Sequence, residues 1–367
     1  MKPLLTSLIL FIFCGGLFAQ PPGANKSVDT FIQSRMKSLG IPGLAVAIVK
    51  DGKIIKQSAY GIANLEWDSK ATTHTNFQIA SCTKLLTSTL VLKAVYKGKL
   101  TLEAPVGQYI DSVPAAWSNI KVKHLLNHSS GLKYFYGDPY APTATIVRSL
   151  KDSALAYAPG SSQSYQSFDY VMLGYVLERI YKKPFPDILR DEVTKPLQMN
   201  DGSFDMEYKT PSAIMRWVLV PQKAPTYFGP ANKKWMYKFS YAHYTYTAGG
   251  YFASIDDLSK WAIALDKNVL FPASFSHDLI YGRDSIAGQP AEFSHAGWPT
   301  GFDGGIQYAG HSGGPGLGDI LRFPKEGYTF IVFSNDGELL PGFARAIAPY
   351  YIKGLSPATQ IEKFERQ

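Results

Sequence analysis

Apolar and polar positions along this chain change period several times, and each period names an element. From 27 to 39 the apolar residues Val28, Phe31, Ile32, Met36 and Leu39 recur at helical spacing, and Gly40 follows. That spacing lays one apolar stripe along a helix, with glycine as its stop. Residues 44–50 and 53–59 are β-rich runs joined by Asp51-Gly52, the dipeptide that accepts the two positive φ values of a tight hairpin. Residues 85–96 are apolar over a length that suits a buried helix, and Gly98 ends it. Further helical patterns fall at 122–126, 169–181, 186–193 and 255–265. The Tyr-, Pro- and Lys-rich stretch from about 205 to 250 reads as loop. Strand patterns return at 306–309, 320–323 and 328–334, and a last helix is expected over 341–352.

The strands cluster at both ends and the helices lie between. The fold class expected is α/β of the α+β kind: an antiparallel sheet formed by both termini, flanked by helices, with a large helical region. The sheet region covers about 25–80 and 300–360, and the helical region about 81–299, in one domain over 20–367. A parallel sheet would need strands and helices alternating throughout, which the Asp51-Gly52 hairpin contradicts.

Composition changes little in this picture: 46% apolar and 18% charged residues are those of an ordinary globular chain. The N-terminus does change it. Lys2, an apolar run at 4–13 and small residues ending at Phe18-Ala19-Gln20 have the order of a secretory signal over 1–19. Export to a periplasm or the medium is therefore expected, with no stable membrane span once the signal is removed. Bulky Phe13 speaks against a lipid anchor on Cys14. Without Cys14, Cys82 stands alone and no disulfide forms within the chain. The net charge of +8 is spread over scattered residues, so nucleic acid is not expected as a partner. His124 and His128 stand at i and i+4 without a third ligand, so no metal and no other cofactor is assigned.

Gly310-His311-Ser312-Gly313-Gly314 spells G-x-S-x-G, the nucleophile elbow of the α/β-hydrolases. An elbow serine needs a helix after it and a histidine later in the chain. Here Pro315, Gly316 and Gly318 follow, and no histidine lies beyond His311. Ser312 is not an elbow nucleophile.

A second candidate is Ser81-Cys82-Thr83-Lys84, an S-x-x-K whose serine and lysine share a helix face. A desolvated lysine beside a serine can act as its base. The spacing alone selects nothing, because it recurs at Ser34–Lys37, Ser118–Lys121 and Ser130–Lys133. Only Ser81 opens a long apolar helix. Two readings stand at this point: a nucleophile at a helix N-terminus, or a serine that caps the helix.

Taken in order, Ser81-Cys82-Thr83-Lys84, Tyr165-Gln166-Ser167 and His311-Ser312-Gly313 resemble the three motifs of the serine β-lactamase and penicillin-binding-protein superfamily. The closest likeness is to its class C-like branch of D-Ala-D-Ala carboxypeptidases, class C β-lactamases and esterases. Leu125-Leu126-Asn127-His128-Ser129-Ser130-Gly131-Leu132 is similar to that branch's LLxHTSGL. Pro159-Gly160 through Tyr165 to Leu173-Gly174 and Glu178, and Ala248-Gly249-Gly250 with Ser254 and Asp257-Leu258, are similar to two further stretches. The resemblance runs from about Phe31 to Ala348.

It implies the antiparallel fold already expected, helices on both faces of the sheet, and a serine hydrolase working through an acyl-enzyme. Ser81 would be acylated, Lys84 would take or relay its proton, and Tyr165 would serve the leaving group and the water, with either Lys84 or Tyr165 as the base. The oxyanion hole would be the N–H groups of Ser81 and Gly314. Ser167, His311, Ser312 and Gly313 would bind substrate. Two departures matter: Ser167 replaces the usual Asn, and His311 the Lys of class C lactamases. Both favour esters or D-amino-acid peptides, cell-wall peptide among them, over β-lactams. A protonated His311 would partly replace the missing charge, so that β-lactam turnover would rise as pH falls through the imidazole pKa. The alternatives are a class C-type β-lactamase and a non-catalytic penicillin-binding-like receptor.

Overall fold

The computed structural model describes residues 21–364 apart from 22, 112, 151–152, 213, 238–240, 287, 315–316 and 358–360. The expected signal at 1–19 lies outside the described residues, as do Pro315 and Gly316.

Asp51 and Gly52 take φ of 48° and 69°, and the turn folds β1 (Gly43–Lys50) onto β2 (Lys53–Asn64). A short β3 (Ser69–Lys70) follows at the edge. The C-terminal part supplies β4 (Thr300–Asp303), β5 (Ile306–Gly313), β6 (Gly318–Phe323) and β7 (Tyr328–Ser334). The order is β4-β5-β6-β7-β1-β2-β3, antiparallel throughout. β7 lies on β1 with Ser334 opposite Leu44, so the two ends of the chain share one sheet.

Because side chains alternate across a strand, β1 feeds two cores. Leu44, Val46 and Ile48 pack with Val28 and Ile32 of α1 (Ala24–Leu39) and with Phe343 and Ile347. Ala45, Ala47 and Val49 face the other core, with Leu85 and Leu90 of α2 (Thr83–Tyr96). That second core also holds Leu173 of α3 (Ser167–Tyr181) and Trp261 of α4 (Ile255–Asp266). Each such large apolar side chain contributes roughly 1.5–3 kcal/mol on burial. α2 is buried on nearly every side. Its polar side chains are satisfied by carbonyls: Thr87 Oγ1 donates to Thr247 O at 2.7 Å and Ser88 Oγ to Ala296 O at 2.7 Å.

Several elements depart from the pattern reading. The helix expected over 186–193 is an α-turn at Phe185–Leu189 continued by a wider π-turn at Arg190–Thr194. The last helix shrinks to α5 (Phe343–Ile347) and one tight turn, Ala348–Tyr350. Pro349 has no amide to continue the ladder. The 205–250 stretch contains two small hairpins, Glu207–Lys209 with Met215–Trp217 and Thr226–Phe228 with Trp235–Tyr237. The strand expected to stop at 309 runs on to Gly313. The GHSGG segment therefore lies on and just past a sheet strand rather than in a strand-to-helix elbow. Among the described residues, no helix is long and apolar enough to cross a membrane.

Candidate active site

Ala80 takes φ of 43° and opens a tight turn, Ala80–Cys82, that runs into α2. Left-handed backbone is unfavourable for a residue with a Cβ, so the surrounding fold holds the chain here in a kink just before Ser81. The cap positions of this turn and of α2 fall on Ile79 and Cys82 rather than on Ser81, and neither carries a side-chain capping hydrogen bond. Instead Lys84, 1% exposed, donates to Ser81 Oγ at 3.2 Å and to Ala248 O at 2.8 Å. The other three S-x-x-K pairs are not built this way. Ser34 and Lys37 are exposed on α1, Lys121 pairs with Glu103, and Ser130 Oγ donates to Asp169.

Tyr165 joins the same cleft from a different part of the chain. The segment 156–164 is zipped to 128–131: Ala156 N donates to Gly131 O at 2.7 Å, Gly160 N to Ser129 O at 2.8 Å and Ser164 N to His128 O at 3.0 Å. A Cβ on Gly131 would fall 2.1 Å from Tyr157 O, so the approach requires glycine there. Lys84 Nζ lies 5.0 Å from the Tyr165 ring centroid. The ring stacks on Phe293 at 5.9 Å and tilts against His311 at 5.8 Å. Ser167 opens α3 on the cleft side.

β5 forms the facing wall. Gly313 meets the turn before Ser81 so closely that a Cβ would lie 2.2 Å from Ile79 O. Cys82 Sγ donates to His311 O at 3.1 Å, which ties β5 to the same turn and gives this thiol a buried packing role. Ser312 Oγ donates to Asp319 Oδ1 at 3.1 Å across the β5–β6 pair. His311 Nδ1 donates to Ser312 O at 2.7 Å, which leaves Nε2, buried and without a protein partner, as an acceptor. Burial, and secondly the nearby Lys84, push the His311 pKa down to about 3. This corrects the expectation of a protonated His311: the ring is neutral at ordinary pH and supplies no positive charge to an anionic substrate.

Ser81, Tyr165, Ser167, His311, Ser312 and Gly314 all line one open cleft of about 880 Å³. Sequence reasoning missed most of its walls. Tyr134, Tyr136, Tyr244, Phe293 and Tyr308 line it, and only Tyr244 belongs to the Tyr-rich stretch at about 205–250. Within that stretch Tyr241 and Tyr244 line the cleft, whereas Tyr246 belongs to the core. Ala248-Gly249-Gly250 supplies the carbonyl for Lys84, and its glycines make room for Tyr241, whose ring would lie 2.2 Å from a Cβ on Gly249. Among the described residues, the lining includes two carboxyl side chains, Glu292 and Asp319, and no lysine or arginine. His124 and His128 do not act as a pair: His124 Nδ1 accepts Lys121 N at 3.2 Å, and His128 contacts Asp169. The metal-type cluster found among the described residues is His74, Asp201 and Asp256, none of which lines the cleft.

Comparison with known proteins agrees with this fold. The family described as Beta-lactamase matches residues 28–349. Protein flp of Staphylococcus aureus (strain MW2) is 26% identical over 337 residues, covering 87% of this chain but 64% of its own length. An octameric penicillin-binding protein homologue from Pyrococcus abyssi superposes with a TM-score of 0.71 at 21% identity, over 84% of this chain and 73% of the other. D-amino acid amidase from Ochrobactrum anthropi SV3, complexed with D-phenylalanine, superposes with a TM-score of 0.70 at 20% identity, over 89% and 94%.

Proposed function

The chain belongs to the beta-lactamase family of serine hydrolase folds, and from that premise we propose that it cleaves neutral esters or D-amino-acid amides and peptides through an acyl-enzyme on Ser81. The observation that carries this reading is the Lys84–Ser81 contact of 3.2 Å in a cleft that also holds Tyr165 and His311. Ser81 attacks the substrate carbonyl, and its proton passes to Lys84 or Tyr165. The N–H groups of Ser81 and Gly314 receive the developing oxyanion. Tyr165 then protonates the leaving group and activates the water that releases the acyl group. Ser167, His311, Ser312 and Gly313 flank the bound substrate.

The aromatic walls, and a lining without lysine or arginine among the described residues, support a neutral substrate with an apolar or aromatic group. One structural neighbour is an amidase seen with D-phenylalanine, which fits such walls. The leader-like residues 1–19 support export, with a mature chain that begins near Gln20; N-terminal sequencing of the secreted protein tests that. The acyl-enzyme is tested by intact mass after incubation with a fluorophosphonate and, separately, a penicillin. A single adduct that maps to Ser81 is expected, and an adduct elsewhere would refute the assignment.

A further inference from the structure

Beneath Tyr165 lies a buried polar network that the acyl-enzyme chemistry above does not use. His128 is fully buried, yet its backbone takes φ of 59°. It receives the chain on both sides of Tyr165: Ser164 N donates to His128 O at 3.0 Å, and Gln166 N approaches His128 Nδ1 at 3.4 Å. Its ring meets the Tyr165 ring at 4.7 Å and 60°, and the Phe293 ring, on which Tyr165 stacks, at 4.8 Å. Behind it, Asp169 Oδ2 lies 3.2 Å from Nδ1, and Asp169 Oδ1 accepts from Ser130 Oγ. Asp169 and Ser130 are likewise fully buried. His128 Nε2 has no protein partner.

We propose that His128, anchored by Asp169 and Ser130, is a positioning residue that holds Tyr165 over Ser81 for the acyl-enzyme reaction. This rests on the reading above in which Tyr165 handles protons in that cycle.

The anchoring bond has a definite polarity. The groups facing His128 are Asp169 on α3, Lys84 on α2, His311 on β5 and the phenols of Tyr157, Tyr165 and Tyr170. Burial, then Lys84 and His311, hold the imidazole well below its ordinary pKa. Burial holds the Asp169 carboxyl well above its own. Gln166 N–H points at Nδ1 as well, so that nitrogen is the acceptor and the Asp169 oxygen facing it brings the proton, which leaves the pair uncharged. The carboxyl O–H donates to Nδ1, the same lone pair that Gln166 N–H addresses, and Nε2 carries the ring proton. A neutral pair places no fixed charge under Tyr165 while still fixing the plane of the ring that supports it.

The test is a double-mutant cycle. His128→Asn tolerates the left-handed backbone, keeps an amide toward Asp169 and removes the ring under Tyr165. It should lower kcat/KM for p-nitrophenyl acetate by about 10- to 100-fold, the scale of a displacement of roughly 1 Å. In a Tyr165→Phe background the same change should cost less than about twofold, because the group it positions is already gone. If Tyr165→Phe itself has no effect, the role given to Tyr165 fails. If it impairs turnover and His128→Asn multiplies that loss unchanged, the positioning proposal fails alone. A second route covers a His128 variant that does not fold. Asp169→Ala should lose activity, and Asp169→Asn should recover most of that loss, since an amide N–H replaces the carboxyl O–H. Equal losses in the two Asp169 variants would overturn the proposal.

Discussion

Lys84 Nζ sits 3.2 Å from Ser81 Oγ, and its second hydrogen bond goes to a backbone carbonyl, Ala248 O, 164 residues along the chain. The lysine is thus held from two directions, by its own helix and by the loop that ends at Gly249-Gly250. Ser81→Ala should abolish fluorophosphonate labelling. Lys84→Ala should slow it by about 10²- to 10⁴-fold, the range for loss of a positioned acid or base. Ser312→Ala should keep measurable labelling, because its hydroxyl is bound to Asp319. Labelling that survives Ser81→Ala but not Ser312→Ala would return the nucleophile to the GHSGG segment.

The neutral His311 makes a prediction about pH. Its folded pKa is about 3 against an ordinary 6.5. A depressed folded pKa means that the unfolded chain takes up the proton first. The stability contributed is therefore whole above pH 6.5 and is lost as pH falls toward 3. Between pH 7 and pH 5 the wild type should lose about 2 kcal/mol relative to His311→Asn, measured by urea unfolding at both pH values. A difference that stays constant with pH would mean that His311 titrates normally in the folded state.

Gly313 tests how closely β5 must approach the nucleophile. A Cβ there would meet Ile79 O at 2.2 Å and Ala80 Cβ at 3.2 Å. Gly313→Ala has to push β5 away from the Ala80–Cys82 turn. A loss of about 1–3 kcal/mol in unfolding free energy is expected, together with a fall in kcat larger than any change in KM. Gly314→Ala meets no atom of the described residues within 4 Å and has no positive φ, so its stability should match the wild type within about 0.5 kcal/mol. Equal destabilisation by the two substitutions would contradict the packing described.

Substrate choice follows from the neutral ring of His311. A lysine in place of His311 would offer an anionic substrate up to ~4 kcal/mol at an effective dielectric of 20. Half of that, about 2 kcal/mol, is roughly thirtyfold in kcat/KM. On one preparation, p-nitrophenyl acetate should be turned over efficiently and nitrocefin slowly or not at all, with a D-Ala-D-Ala peptide as the third comparison. Because His311 stays neutral, nitrocefin turnover should not rise between pH 7 and pH 5. Efficient nitrocefin hydrolysis without esterase activity would overturn the assignment.

What the sequence by itself determined is local. The Asp51-Gly52 turn, the two-faced alternation of β1 and the apolar length of α2 are set by neighbours a few residues away, and each is found where its pattern lies. The order of the three motifs was also legible, since chain order needs no geometry. Spacing alone could not choose among four S-x-x-K pairs, because the difference is made by Ala248, Tyr165 and β5, all distant in sequence. It could not foresee the strand Thr300–Asp303 or the aromatic walls of the cleft, which depend on which loops the sheet brings together. Nor could it assign the charge of His311. An imidazole pKa is set by how much water and which charges surround the ring, and only the folded chain buries that ring beside Lys84.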